Sequence, residues 1–287
     1  MTYPGFCMTK TDTPFSPDIH LEWINHDMPR CARRAVLFDF DGTLSLIREG
    51  WQQVMIPMMI DELRPWAKGE TEEELNQLVR TYVTRLTGKQ TIYQMIELAR
   101  QIEERGGTPK EPLAYKYQYL DLLWQRISHR VHELKSGTAD PDEHLVPGAR
   151  KLLECLHARK IPMILASGTD HPYVVDEAEA LKIDHFFEGR IYGALDEYKK
   201  FSKAIVIQRI LKEHQLQGPE LLSIGDGYVE IENCKEVGGT AIGAATEEHR
   251  RTGIDEWKRG RLIEAGADVI IPDFRQVETW LPWILGE

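Results

Sequence analysis

Cysteine is sparse and scattered. The four thiols, Cys7, Cys31, Cys155 and Cys234, form neither a C-x-x-C pair nor a zinc-type spacing. Free thiols in a reducing compartment are therefore expected, rather than a disulfide framework or a structural metal. Long apolar runs are missing too. The stretch from Val54 to Ile60 covers seven residues, far short of the roughly 20 that a membrane-spanning helix needs. Basic charge is also deficient: 35 Lys and Arg against 46 Asp and Glu leave a formal charge of −11, a poor match for a nucleic-acid backbone. The first residues carry acids early and no apolar segment of the signal-peptide kind, and no internal repeat or low-complexity tract is visible. A cytoplasmic protein with neither a membrane nor a nucleic-acid partner is expected, as a monomer or homodimer.

What is present suits a well-packed globule. Apolar residues make up 42% of the 287 residues, enough for one large α/β domain or a core with a smaller second unit. Short unalternated apolar runs recur at Ala35 (AVLF), Ile161 (IPMILA), Leu221 (LLSI), Gly239 (GTAIGAA) and Ala267 (ADVII), the pattern of strands buried on both faces of a parallel sheet. Helical patterns starting near Gly148, Tyr173, Ser202 and Ile254 separate them. This alternation predicts an α/β fold with a doubly wound parallel sheet and right-handed crossovers.

Two segments depart from that rhythm. Residues 1–34 are proline-rich and weakly periodic, and read as an extended leader with a short helical turn near HLEWIN. Residues 46–145 show only helix. There, Thr71 and Glu74 form a capping box, Gly106-Gly107 and Gly137 supply C-terminal stops, and Met55, Met58 and Met59 fall at core spacing. The predicted organisation is a leader (1–34), a core (35–45 and 146–287) and an inserted all-helical cap (46–145).

The most informative stretch is VLFDFDGTLSL, beginning at Val36. Asp39 and Asp41 lie two positions apart at a strand end, so both face one site, and in an open parallel sheet that site is where ligands bind. Two close carboxylates repel each other. A hard cation such as Mg²⁺, which takes carboxylate, carbonyl and water oxygens, would offset the charge. Gly42 permits a sharp turn that frees backbone N–H groups for an anion. Other strand ends add Ser167-Gly168-Thr169, small donors at a helix start suited to a phosphate. They also add Asp226 with Glu230 four residues on, and a lysine from Lys199, Lys200 or Lys203. Lys203 is preferred because it follows the N-cap Ser202 at a helix start.

In this order the segments resemble the haloacid dehalogenase superfamily phosphatases with a helical (C1-type) cap after the first motif. D-x-D-G-T-L is matched by Asp39–Leu44, the strand ending in Ser or Thr by Ser167, the lysine motif by Lys203, and the acidic motif by Gly225–Glu230. The resemblance implies that Asp39 is the nucleophile of an aspartyl-phosphate intermediate and Asp41 the general acid and base. It further implies that Ser167, Gly168 and Lys203 bind the phosphoryl group, and that Asp39, Asp41 (through its carbonyl), Asp226 and Glu230 belong to a Mg²⁺ site. Glu230 stands where the family usually has Asp. The expected activity is Mg²⁺-dependent hydrolysis of a small phosphorylated metabolite, with a sugar phosphate first. The rivals are a phosphomutase, a phosphonatase with Lys89 as imine-forming lysine, or a catalytically silent binding protein. Lys89, Gln90 and Arg48 are candidate substrate contacts beside the cap. Trp51 reads as cap core, and His171 as an ordinary first-turn residue.

Overall fold

The computed structural model describes residues 21–28, 31–200 and 202–287, so most of the expected leader lies outside the described residues. The chain begins with β1 (Glu22–Trp23) and β2 (Ala35–Phe38). Four helices follow without an intervening strand: α1 (Gln52–Leu63), α2 (Glu72–Leu86), α3 (Thr91–Glu104) and α4 (Pro112–Ser136). The rest alternates as α5 (Ala149–Ala158), β3 (Met163–Asp170), α6 (His171–Ala180), β4 (Ile191–Ala194), α7 (Lys203–Glu213), β5 (Leu221–Gly225), α8 (Tyr228–Glu236), β6 (Thr240–Ala244), α9 (Glu256–Glu264), β7 (Val269–Ile271) and α10 (Val277–Leu285).

The seven strands form one sheet in the order β1-β7-β6-β5-β2-β3-β4, parallel except for β1. Side chains alternate across it. Val36 and Phe38 enter the core on one face with Leu152 and Leu281, while Ala35 and Leu37 enter the other with Val206 and Ile231. β2 is thus apolar on both sides, which is why its sequence does not alternate. Since β2 lies between β3 and β5, the chain leaves it toward one side and later returns to the other. That is the topological switch point at which a crevice opens beyond the carboxyl ends of the strands.

The expected helical turn near HLEWIN is corrected: Glu22 and Trp23 form the antiparallel edge strand on β7. Two contacts hold it there, with Trp23 packing edge-on against Trp283 at 4.1 Å between ring centroids and Glu22 pairing with Arg259 at 2.6 Å. Capping an open edge outweighs the weak helical pattern of so short a segment. In the helical region the Thr71–Glu74 capping box forms at the start of α2, and Gly137 ends α4 in the left-handed conformation. Met55, Met58 and Met59 are buried.

Candidate active site

Every motif singled out at a strand end arrives at one place. Asp39 follows β2, its backbone N–H donating to the Ile224 carbonyl at 3.0 Å. Gly42 then turns the chain at φ +74°, and a Cβ there would collide with the Asp226 carboxylate and crowd Glu248. Only glycine fits both the angle and the approach. Asp39, Asp41, Arg48, Lys89, Ser167, Gly168, Lys203 and Asp226 all line one cavity of about 100 Å³.

The floor is a set of ion pairs. Lys203, 5% exposed, reaches Asp39 Oδ1 at 2.9 Å and Glu230 Oε2 at 2.7 Å. Lys200 is exposed and pairs with Glu197 instead. The other oxygen of Glu230 accepts the Gly227 N–H at 2.6 Å, closing the first turn of α8. Across the cavity, Lys258 of α9 bridges Asp226 Oδ2 at 2.7 Å and Glu248 Oε1 at 2.6 Å. Burial pushes the Asp39 carboxyl well above its usual range; Lys203 opposes this, while Glu230 and Asp226 add to it. Burial raises Asp226 and Glu248 likewise, against the pull of Lys258. Burial alone would lower both lysines, yet their paired carboxylates carry each upward. The upward shift of the carboxyls reflects crowding: more acidic groups meet here than two ammonium groups can pair.

Asp41 turns the other way. Its Oδ2 accepts from the Thr169 hydroxyl at 2.8 Å and from the Ser167 hydroxyl at 3.1 Å, and Ser167 Oγ in turn accepts the Thr169 N–H at 3.0 Å. Asp41 Oδ1 is buried and accepts no hydrogen bond among the described residues; Arg48 Nε lies 3.7 Å from it. The Arg48 guanidinium is held by Glu177 of α6 through Nε and Nη2, the latter at 2.7 Å. Burial raises the Glu177 carboxyl, and Arg48 opposes that rise.

The helical segment closes the cavity from above. Lys89 lines it and has no acidic partner among the described residues, its ammonium lying 6.0 Å from the Tyr93 ring. Gln90 does not line it; its side chain donates to the Tyr198 carbonyl at 3.1 Å. The Lys89 carbonyl instead packs on Gly168, where a Cβ would come within 2.9 Å. Trp51, expected in the interior of the helical region, is half-buried and lines the cavity with Tyr119; His171 does not. Lys116 of α4, 2% exposed, pairs with Asp170 at the end of β3 at 2.7 Å and with Asp196 at 3.2 Å.

Sequence reasoning missed Glu177, Glu248, Lys258 and Lys116, and it named Thr169 as a donor for phosphate without its bond to Asp41. That bond had a signal, since Thr169 lies two positions beyond Ser167 and so shares its side of the strand. Lys258 had one as well: a lysine in a helix's first turn opposes the helix dipole, which favours anions there, and so calls for an acidic partner. Glu177 had none, because a mid-helix glutamate reads as solvated.

Asp39, Asp226 and Glu230 each bring one oxygen to within 4.8 Å of the others. The Asp41 carboxylate is outside that group, as it must be if only its carbonyl contributes. With Glu248, four carboxyl groups face two ammonium groups, so two acidic groups lack a cation. An all-oxygen donor set with that charge deficit fits a hard divalent cation.

A family model described as haloacid dehalogenase-like hydrolase matches residues 33–238. A curated phosphoglycolate phosphatase of Vibrio cholerae serotype O1 is 27% identical over 121 residues, 42% of this chain and 53% of that protein. The chain thus spans about half the length of this curated relative. Among solved structures, one described as a predicted phosphoglycolate phosphatase from Haemophilus somnus 129PT matches with a TM-score of 0.55 at 16% identity, covering 88% of this chain and 99% of the other. A β-phosphoglucomutase from Clostridium difficile matches with a TM-score of 0.57 at 14% identity, covering 88% and 96%. These identities establish a shared fold.

Proposed function

The chain belongs to the haloacid dehalogenase-like hydrolases, and from that premise we propose that it is a Mg²⁺-dependent phosphomonoesterase acting on a small phosphorylated metabolite. The observation that carries the proposal is the division of labour between the two aspartates. Asp39 lies against Lys203 and the acidic cluster, whereas Asp41 faces away, toward Ser167 and Thr169.

In the first step an Asp39 oxygen attacks phosphorus, forming the O–P bond of an aspartyl-phosphate as the bond to the leaving oxygen breaks. Asp41 gives that oxygen its proton. Asp41 then takes a proton from water, whose oxygen attacks phosphorus, and Asp39 leaves as a free carboxylate. The Ser167 hydroxyl, the Gly168 N–H and the Lys203 ammonium hold the phosphoryl oxygens. Asp39, the Asp41 carbonyl, Asp226 and Glu230 would hold Mg²⁺, which when bound neutralises charge on those oxygens. The cluster is already formed, so little reorganisation accompanies the reaction.

Residues 46–145 act in this reading as a cap inserted in the core formed by 35–45 and 146–287. The Lys89 ammonium, without an acidic partner among the described residues, suits a second anionic group or a hydroxyl-rich portion of the substrate. Sugar phosphates and phosphorylated hydroxy acids, the latter suggested by the name of the Vibrio relative, are the substrates to try first. The test is phosphate release from a metabolite panel with Mg²⁺. Turnover is expected in the wild type and not in Asp39→Asn; no release from any substrate, or full activity in the variant, overturns the proposal.

A further inference from the structure

Lys258 is 9% exposed and sits in the first turn of α9, where the helix dipole opposes a cation. Burying an ammonium there needs strong compensation, and one carboxylate would suffice for an ordinary structural pair. Lys258 instead takes one oxygen from each of two, Asp226 Oδ2 and Glu248 Oε1. Both carboxylates line the reaction cavity and crowd the Gly42 turn that follows Asp41. Oδ2 is the Asp226 carboxylate oxygen in a hydrogen bond among the described residues, so Oδ1 is left for any other partner.

We propose that Lys258 is a positioning residue for the cation site, holding one oxygen of Asp226 and one of Glu248 so that the site favours Mg²⁺ over Ca²⁺. This rests on the proposal that Asp39, Asp226 and Glu230 bind a divalent cation. Mg²⁺ demands near-ideal octahedral geometry, keeps several waters and needs only one or two carboxylates. Ca²⁺ takes 6–8 oxygens and readily accepts a carboxylate through both. An ammonium fixed on Asp226 Oδ2 and Glu248 Oε1 denies a cation two-oxygen binding to either carboxylate. It costs the smaller ion little, since one Asp226 oxygen remains. The arrangement parallels Lys203 on Asp39 and Glu230, but with a different consequence: Lys203 also faces the position of the phosphoryl group, while Lys258 acts only through the carboxylates it holds.

Isothermal titration calorimetry of the metal-free full chain with MgCl₂ and with CaCl₂ tests this without reference to turnover. Wild type should bind Mg²⁺ more tightly. Lys258→Met should shift the ratio of the two Kd values about tenfold toward Ca²⁺, whereas Lys258→Arg, which keeps a two-pronged donor, should hold the ratio within about threefold of wild type. A Lys258→Met ratio within about threefold of wild type overturns the proposal while leaving the cation site standing. If neither ion binds the wild type, the cation reading itself falls, and this inference with it. Should Lys258→Met lose its thermal transition, Lys258→Gln decides: its ratio should also move toward Ca²⁺, and a ratio within about threefold of wild type overturns the proposal.

Discussion

The carboxyl edge of the sheet and the helical segment above it meet at one cavity, yet they present charge in opposite ways. On the sheet side Lys203 bridges Asp39 and Glu230 and Lys258 bridges Asp226 and Glu248, while Arg48 is committed to Glu177. On the helical side Lys89 has no acidic partner, and the Tyr119 hydroxyl makes no hydrogen bond among the described residues. Groups proposed to do chemistry are fixed before any ligand arrives, as electrostatic preorganisation requires. Groups proposed to recognise the leaving portion keep their hydrogen-bonding capacity, so substrate choice can change without disturbing the reaction centre.

Substitutions on the two sides should therefore fail differently. The largest effect belongs to the sheet edge: Asp39→Asn should lower kcat on the order of 10³-fold or more by replacing the attacking carboxylate with a neutral amide, measured as phosphate release at saturating substrate. Next, Glu177→Ala strips Arg48 of its buried partner. Breaking such a pair typically costs about 3–5 kcal/mol, which denaturant titration would read directly; a loss under about 1 kcal/mol would show that the guanidinium finds other compensation. On the helical side, Lys89→Ala should raise KM several-fold, on the order of 1 kcal/mol for an exposed cation, with kcat nearly unchanged. An equal fall in kcat would place Lys89 in the chemistry and break the comparison.

The smallest effect concerns the return from the helical segment to the sheet, where His144 accepts the Leu46 N–H on its carbonyl. Burial, Arg130 and Arg251 hold its imidazole below the usual histidine range. The folded protein therefore binds fewer protons at this residue than the unfolded chain does. That contribution to stability is present above the unfolded pKa near 6.5 and is lost as pH falls below it. Thermal midpoints measured between pH 7.5 and 5 should decline less in His144→Gln than in wild type.

Much of this was legible in the sequence. The unalternated runs at Ala35, Ile161, Leu221, Gly239 and Ala267 correspond to β2, β3, β5, β6 and β7 of the α/β sheet, and the family expected from the ordered motifs is borne out. β4 was not legible because Ile191–Ala194 has four residues, includes a glycine, and hydrogen-bonds only to β3 in the sheet. β1 has two residues and is fixed by its partner rather than by its own pattern. α10 was missed because its apolar residues and internal Pro282 obscure the helical period.

The sequence by itself determined which chemistry is concentrated at the strand ends, because burying β2 on both faces forces its first polar residues, Asp39 and Asp41, into the crevice beyond the sheet. Only the tertiary structure decided how those charges are compensated. Lys203, Arg48 and Lys116 find their partners across long chain separations, and a pairing of that kind leaves no local period or spacing to read. Its stability comes from desolvation shared among distant side chains, which exists only once the sheet and the helices have packed.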